Sequence, residues 1–243
     1  MKKLNVFVFR KYIVNLCILG LIVIIGIAVA FGVTLNKGSQ EASTAQGAIY
    51  QGDTTSNKIS LMINVYWGTE YLGDMLDILD EKDVKATFFV GGVWAADNEE
   101  LLVSMVERGH ELGNHAYSHK DHDKLTAESS KKEISTTHNL VKSITGKEMN
   151  LFAPPSGAFN SQTIECAEEL GYKTIMWTRD TIDWRDQDAD LIYNRAIENA
   201  KGGDFILMHP TESTLEAFAR IIDTLQGQGF ELVTVSNNLA GIE

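Results

Sequence analysis

From residue 58 onward the chain alternates between short apolar runs and longer amphipathic stretches, and few folds accept that pattern. The apolar runs are ISLMINV (59–65), KATFFVGG (85–92), HELGNH (110–115), NLFAPP (150–155), YKTIMWT (172–178), DFILMH (204–209) and FELVTVS (230–236). They read as strands. Between the first two, YLGDMLDILDEK sets Leu72, Met75, Leu76 and Leu79 on one helical face at i, i+3, i+4 and i+7. DNEELLVSMVERG (97–109) and TAESSKKEISTTHNLVKSITG (126–146) each end at a glycine suited to stopping a helix. SQTIECAEELG (161–171) follows Asn160 as N-cap, and STLEAFARIIDTLQGQG (213–229) opens with a capping box, Ser213-x-x-Glu216. DADLIYNRAIENAKGG (188–203) is the remaining helix. Strands alternating with helices predict a parallel sheet covered by helices. The first strand-to-helix turn, YWG, lacks the glycine pattern of a phosphate-binding loop, which counts against a doubly wound nucleotide fold. The unusual polar residues fall just after strand ends, and in a barrel those ends share the face that carries active sites. The expected class is therefore α/β, a distorted (β/α) barrel of about seven parallel strands.

A different segment precedes the barrel. Residues 12–35, YIVNLCILGLIVIIGIAVAFGVTL, carry no charge and are long enough to cross a bilayer as one helix. Lys2, Lys3, Arg10 and Lys11 precede the run, so residues 1–11 are expected in the cytoplasm and the rest of the chain outside. Ala28-Val29-Ala30 resembles a signal-peptide cleavage site, but the apolar run is longer than a usual signal core, which favours a single-pass cell-membrane anchor. Residues 36–57, rich in Gly, Ser, Thr and Gln, read as a flexible linker to a domain over 58–243.

Charge narrows the partners. The net charge is −12, and the four cations of the first 35 residues leave 17 basic against 33 acidic residues beyond them. Nucleic acid is excluded as a partner, because phosphate neutralisation needs basic patches; a neutral glycan is not. The two cysteines, Cys17 and Cys166, fall in different segments, so no disulfide framework is expected, and Cys166 reads as a small half-buried hydrophobe.

One constellation carries chemistry. His115 and His119 stand at i, i+4 in GNHAYSH, a spacing at which two imidazoles can meet one metal ion. His209 closes the apolar strand FILM and suits general-acid duty. Asp183, after strand YKTIMWT, would fix the tautomer of such an imidazole and favour its charged form. Trp184 can wall a sugar-sized pocket, and Pro154-Pro155 form a rigid pocket wall. Asp180 reads as a loop cap, His110 as a packing residue, His122 as solvated and His138 as exposed in mid-helix.

Taken together, these segments resemble the NodB-homology polysaccharide deacetylases, carbohydrate esterase family 4, over about residues 58–238. Within that family the chain resembles a divergent, membrane-anchored branch of spore-forming Firmicutes. The resemblance implies a divalent metal, zinc by preference, on His115 and His119, with His209 as general acid tuned by Asp183. The family's first strand ends in TFDDG, with a catalytic base and then a metal ligand; here Asn64 takes the base position and Val65 the ligand position. The family's R-P-P-Y segment falls on Ala153-Pro154-Pro155-Ser156, so the arginine that pairs with the base is also absent. Both members of that charge pair are gone, and no buried charge is stranded. Losing a positioned base typically costs about 10²–10⁴-fold in rate. Glu70, Asp74, Asp121 and Asp123 are the acids near enough in sequence to be replacements, with Glu70 first.

The resemblance implies an N-deacetylase of N-acetylated cell-wall or spore-wall polysaccharide, such as peptidoglycan, in which Asn64 orients water or fills out the metal shell. The alternative is a catalytically impaired domain that binds glycan, with Trp184, the Pro154-Pro155 wall and Tyr66 or Trp67 as stacking surface.

Overall fold

The computed structural model describes residues 47–240. In chain order the elements are β1 (Ala48–Ile49), β2 (Lys58–Val65), α1 (Thr69–Glu81), β3 (Thr87–Val90), α2 (Gly92–Asp97), α3 (Glu99–Glu107), β4 (Glu111–Asn114) and α4 (Ala127–Thr145). There follow β5 (Leu151–Phe152), α5 (Ser161–Glu169), β6 (Lys173–Ile175), β7 (Arg179–Asp180), α6 (Ala189–Ile197), β8 (Phe205–Met208), α7 (Glu212–Gly227), β9 (Glu231–Leu232) and α8 (Val235–Leu239). All strand pairings are parallel, in the order β1-β6-β5-β4-β3-β2-β8-β7, with β9 joining the start of β2.

Strands β6 and β7 are three residues apart and both run parallel to their partners, so they are one bent segment. Its first part pairs with Leu151–Phe152 and its second with Ile206–Leu207. At the bend, Thr178 N–H donates to the Phe205 carbonyl at 3.2 Å. This segment carries the sheet round into a distorted barrel whose principal strands are β2, β3, β4, β5, β6–β7, β8 and β9.

Side chains alternate across each strand, and both faces are buried. On β2, Ile59, Leu61, Ile63 and Val65 pack outward with Leu72, Met75, Leu76 and Leu79 of α1 in the larger core. Met62 faces inward, where Phe89, Leu151, Ile175, Phe205 and Leu207 fill the barrel interior. Asn64 shares the parity of Met62 and lines a cavity above this plug.

Several local expectations are corrected. Residues 47–57, assigned to the linker, belong to the domain: β1 pairs with β6, and Gly52 N–H donates to the Gly203 carbonyl at 2.8 Å. The stretch 85–109 holds two helices rather than one, because Asn98 interrupts the helical path and its side chain donates to the Trp94 carbonyl. Helix α7 is capped by Thr211, whose hydroxyl accepts from Thr214 N–H, and not by Ser213. Asn160 does cap α5, with a reciprocal bond through Thr163. Among the described residues no helix is long and apolar enough to cross a membrane; the expected span 12–35 and linker residues 36–46 lie outside the described residues.

Candidate active site

The first wall is the turn after β2. Asn64 is 5% exposed, and its Oδ1 is buried without a hydrogen-bond partner. Val65 is fully buried in the outer core and does not line the cavity. Tyr66 packs over Gly91 and against the His119 ring, centroids 4.8 Å apart. Gly68 then takes φ +76° at the start of α1, the left-handed region that glycine adopts without strain.

The second wall is the loop after β4. His115 is 2% exposed, and its Nδ1 lies 2.7 Å from the Ala153 carbonyl. A carbonyl can only accept, so Nδ1 carries the proton and Nε2 presents a lone pair. Burial, reinforced by His119, pushes the His115 pKa down to about 3. Burial also lowers that of His119. Both imidazoles are therefore neutral near pH 7, with rings 5.0 Å apart. The loop turns through two non-glycine residues at positive φ, Ala116 (+60°) and His119 (+53°). Such conformations persist only where the surroundings impose them. Here the Glu133 carboxylate does so, accepting from Tyr117 N–H (3.0 Å), Ser118 N–H (2.7 Å), the Ser118 hydroxyl (2.6 Å) and Lys120 (3.1 Å). Asn114 Oδ1 adds an acceptor for Ala116 N–H at 2.9 Å.

The third wall is the end of β8. His209 Nδ1 donates to Asp183 Oδ1 at 2.8 Å, leaving Nε2 on the opposite edge of the ring. Asp183 Oδ2 accepts from His209 N–H and from the Thr214 hydroxyl, both at 2.6 Å. The Asp183 side chain is fully buried, so all its bonds are made inside the protein. Asp180 Oδ1 accepts from Ile182 N–H at 2.8 Å and shapes the turn that brings Asp183 under His209.

These walls enclose a cavity of about 310 Å³. Three of the chain's four tryptophans, Trp67, Trp177 and Trp184, line it. A sequence model of the polysaccharide deacetylase family matches residues 51–175. The chain belongs to that family. A peptidoglycan-N-acetylglucosamine deacetylase of Bacillus cereus is 33% identical over 175 residues, covering 70% of this chain and 82% of that protein. The YlxY protein of Bacillus subtilis is 39% identical over 188 residues, 77% of this chain but only 59% of that longer relative. The crystal structure of a carbohydrate esterase family 4 pseudoenzyme from Bacillus anthracis superposes with a TM-score of 0.77 at 36% identity, covering 79% of this chain and 68% of that one.

Within this deacetylase fold, Asn64, His115, His119, Trp184 and His209 all meet at the cavity, with Asp183 directly behind His209. Pro154 and Pro155 do not line it: both are buried, and the wall they were assigned comes from Ser156 and Gly157. None of the four candidate replacement acids lines the cavity. Glu70 and Asp74 are exposed on α1, Asp123 is exposed, and Asp121 pairs with Lys124. The carboxylate in the lining is Asp180, already bonded to its own turn. Two imidazoles and an amide do not make the three-ligand set that a catalytic zinc requires. Among the described residues no three His, Cys, Asp or Glu side chains converge on a metal position. The residues present therefore do not fit the family's metal.

Two histidines differ from expectation. His122 is fully buried, its Nδ1 2.7 Å from the Ser130 hydroxyl and its ring 5.1 Å from Phe152. His138 is half-buried and bonded to the Tyr172 hydroxyl and Glu148. Glu133 and Thr214 are site supports that sequence reasoning missed. Glu133 had a signal: with Thr137 and Val141 it forms an i, i+4, i+8 row on the buried face of α4, an unusual place for a carboxylate.

Proposed function

We propose that this chain uses a polysaccharide deacetylase fold to bind N-acetylated wall glycan without hydrolysing it. The carrying observation is the β2 end, where Asn64 stands with an unpartnered amide oxygen, Val65 points into the outer core, and none of Glu70, Asp74, Asp121 and Asp123 lines the cavity, whose lining carboxylate, Asp180, is bonded to Ile182 N–H of its own turn. An amide cannot take a proton from water near neutral pH, so residue 64 cannot act as the base that the family places there. What remains is an aromatic-lined cavity with a few polar groups, the composition of a binding site. The pseudoenzyme relative supports the absence of hydrolysis, and the peptidoglycan deacetylase relative supports the choice of glycan. Anchored through residues 12–35, the domain would face the wall outside the cell membrane.

A second reading, a slow deacetylase, is favoured by one observation: the His209–Asp183–Thr214 network is complete, and His209 Nε2 could protonate a departing amine. One experiment separates the two. Binding to N-acetylglucosamine oligomers and to insoluble peptidoglycan is measured beside acetate release, with zinc added. Saturable binding without acetate is expected. Acetate release that His209→Gln abolishes establishes the second reading, and absence of binding removes the first.

A further inference from the structure

Trp67 is 43% exposed, yet its indole is not a loose surface ring. It lies parallel to the His209 imidazole, centroids 5.7 Å apart and planes within 6°. Each part of that stack is held. Gly68 packs against Pro210 so closely that a Cβ would fall 1.9 Å from the Pro210 carbonyl oxygen, so glycine is what lets the turn lie on the His209–Pro210 segment. On the far side of the turn, Trp94 Nε1–H donates to the Thr69 hydroxyl at 2.9 Å and pins the first turn of α1. His209 cannot swing away, because its ring and its backbone N–H are both bonded to the buried Asp183, which Thr214 also holds. The other exposed indole at this cavity, Trp184 (56%), follows Asp183 in the chain. Trp67 thus rests on this hydrogen-bonded mount, and Trp184 lines the same cavity one residue beyond Asp183 in the chain.

We propose that His209, fixed by Asp183, is a positioning residue for Trp67, and that Trp67 and Trp184 form a stacking subsite for the C–H face of a neutral N-acetylhexosamine unit. This rests on the glycan-binding reading and deepens it. A fixed aromatic ring supplies large contact area at low entropic cost, because it has little freedom left to lose on binding. An anionic ligand is disfavoured because the lining offers imidazoles, hydroxyls, an amide, indoles and the Asp180 carboxylate but no lysine or arginine, and a neutral sugar can still donate its hydroxyls to that carboxylate. On this assignment the His209 network survives without a base because it holds a surface, for which a flat ring matters and a transferable proton does not.

The test uses the full chain in detergent micelles and the tetramer of N-acetylglucosamine. Affinity is read by calorimetry, and the stacked indole by near-ultraviolet circular dichroism. Trp67→Ala should raise Kd about tenfold or more, as loss of a buried aromatic anchor does. His209→Ala should match it, while the flat ring of His209→Phe should keep Kd within about threefold of wild type. The dichroism band should be lost in Trp67→Ala and His209→Ala and kept in His209→Phe. If His209→Phe does not fold, Gly68→Ala displaces the turn without touching Asp183 and should weaken binding as Trp67→Ala does. A folded His209→Phe that keeps the dichroism band of the stacked indole yet binds as poorly as His209→Ala overturns the proposal, since the ring nitrogens would then be what the ligand needs. Unchanged affinity in Trp67→Ala or in Gly68→Ala also overturns it and leaves glycan binding intact. A wild-type chain that does not bind the tetramer removes the glycan reading and this subsite together.

Discussion

Asn64 lies near the end of β2, and His209 follows directly after the neighbouring strand β8. β2 and β8 pair from Ser60↔Phe205 to Ile63↔Met208, and one more step of that register sets Asn64 beside His209. The two neighbours are built in opposite ways. The His209 side is a closed hydrogen-bond network in which the buried Asp183 accepts from a ring, a backbone amide and a hydroxyl. The Asn64 side holds a buried oxygen with no partner. The departures from the family pattern, at residues 64, 65 and 153, therefore leave the His209 side of the cavity intact. A carboxylate exchanged for an amide, together with loss of its charged partner, leaves nothing unbalanced that the neighbouring network must absorb.

The largest test of that contrast is stability. Asp183→Ala should cost about 3 kcal/mol or more, because three donors lose a buried acceptor. Asn64→Leu should be neutral or stabilising, because it removes an oxygen that already lacks a partner. Urea unfolding of both variants measures this, and an Asn64→Leu loss as large as that of Asp183→Ala would break the contrast.

Histidines without a carboxylate partner sharpen it through pH. Burial lowers the pKa of His110 and of His122 from 6.5 to about 4. Between those values the unfolded chain binds more protons than the folded one, so their contribution is complete above pH 6.5 and declines as pH falls towards 4. The decline is at most about 3 kcal/mol for each. Denaturation midpoints measured from pH 7 to 4.5 should fall, and His122→Leu should make that slope shallower. An unchanged slope would mean that His122 is not buried in its neutral form.

Restoring one charge is a smaller change. Asn64→Asp would give His115 and His119 a carboxylate partner, and zinc affinity should rise about tenfold or more. A chelator-competition titration reads this, with His115→Ala as the control that removes it. Equal affinity in wild type and Asn64→Asp would show that residue 64 does not reach the imidazoles. The smallest effect belongs to Glu70→Gln. An exposed acid in the first turn of a helix contributes a few tenths of a kcal/mol to about 1 kcal/mol. Glycan affinity should not move at all, and a loss of binding would return Glu70 to the site.

Much of this was legible because it is local. Strand and helix periods, the Asn160 cap and the order of His115, His119, Asp183 and His209 are properties of a few neighbouring residues. The misreadings share another cause. His122 looks like a polar loop residue until Phe152 and Ser130 close over it. Residues 47–57 look like a linker until β6 offers an edge to pair with. Pro154 and Pro155 are rigid, as their chemistry requires, but rigidity does not say which neighbour of a proline faces the cavity.

The sequence by itself determined the α/β alternation, the family, and the absence of acids at residues 64 and 65. It could not decide that Asn64 faces the barrel interior while Val65 faces the helices, because strand parity has meaning only once the sheet has an inside. Nor could it decide that Trp67 lies on His209. That contact joins two strand ends far apart in the chain, and parallel β2–β8 pairing together with the close approach of Gly68 to Pro210 brings them together.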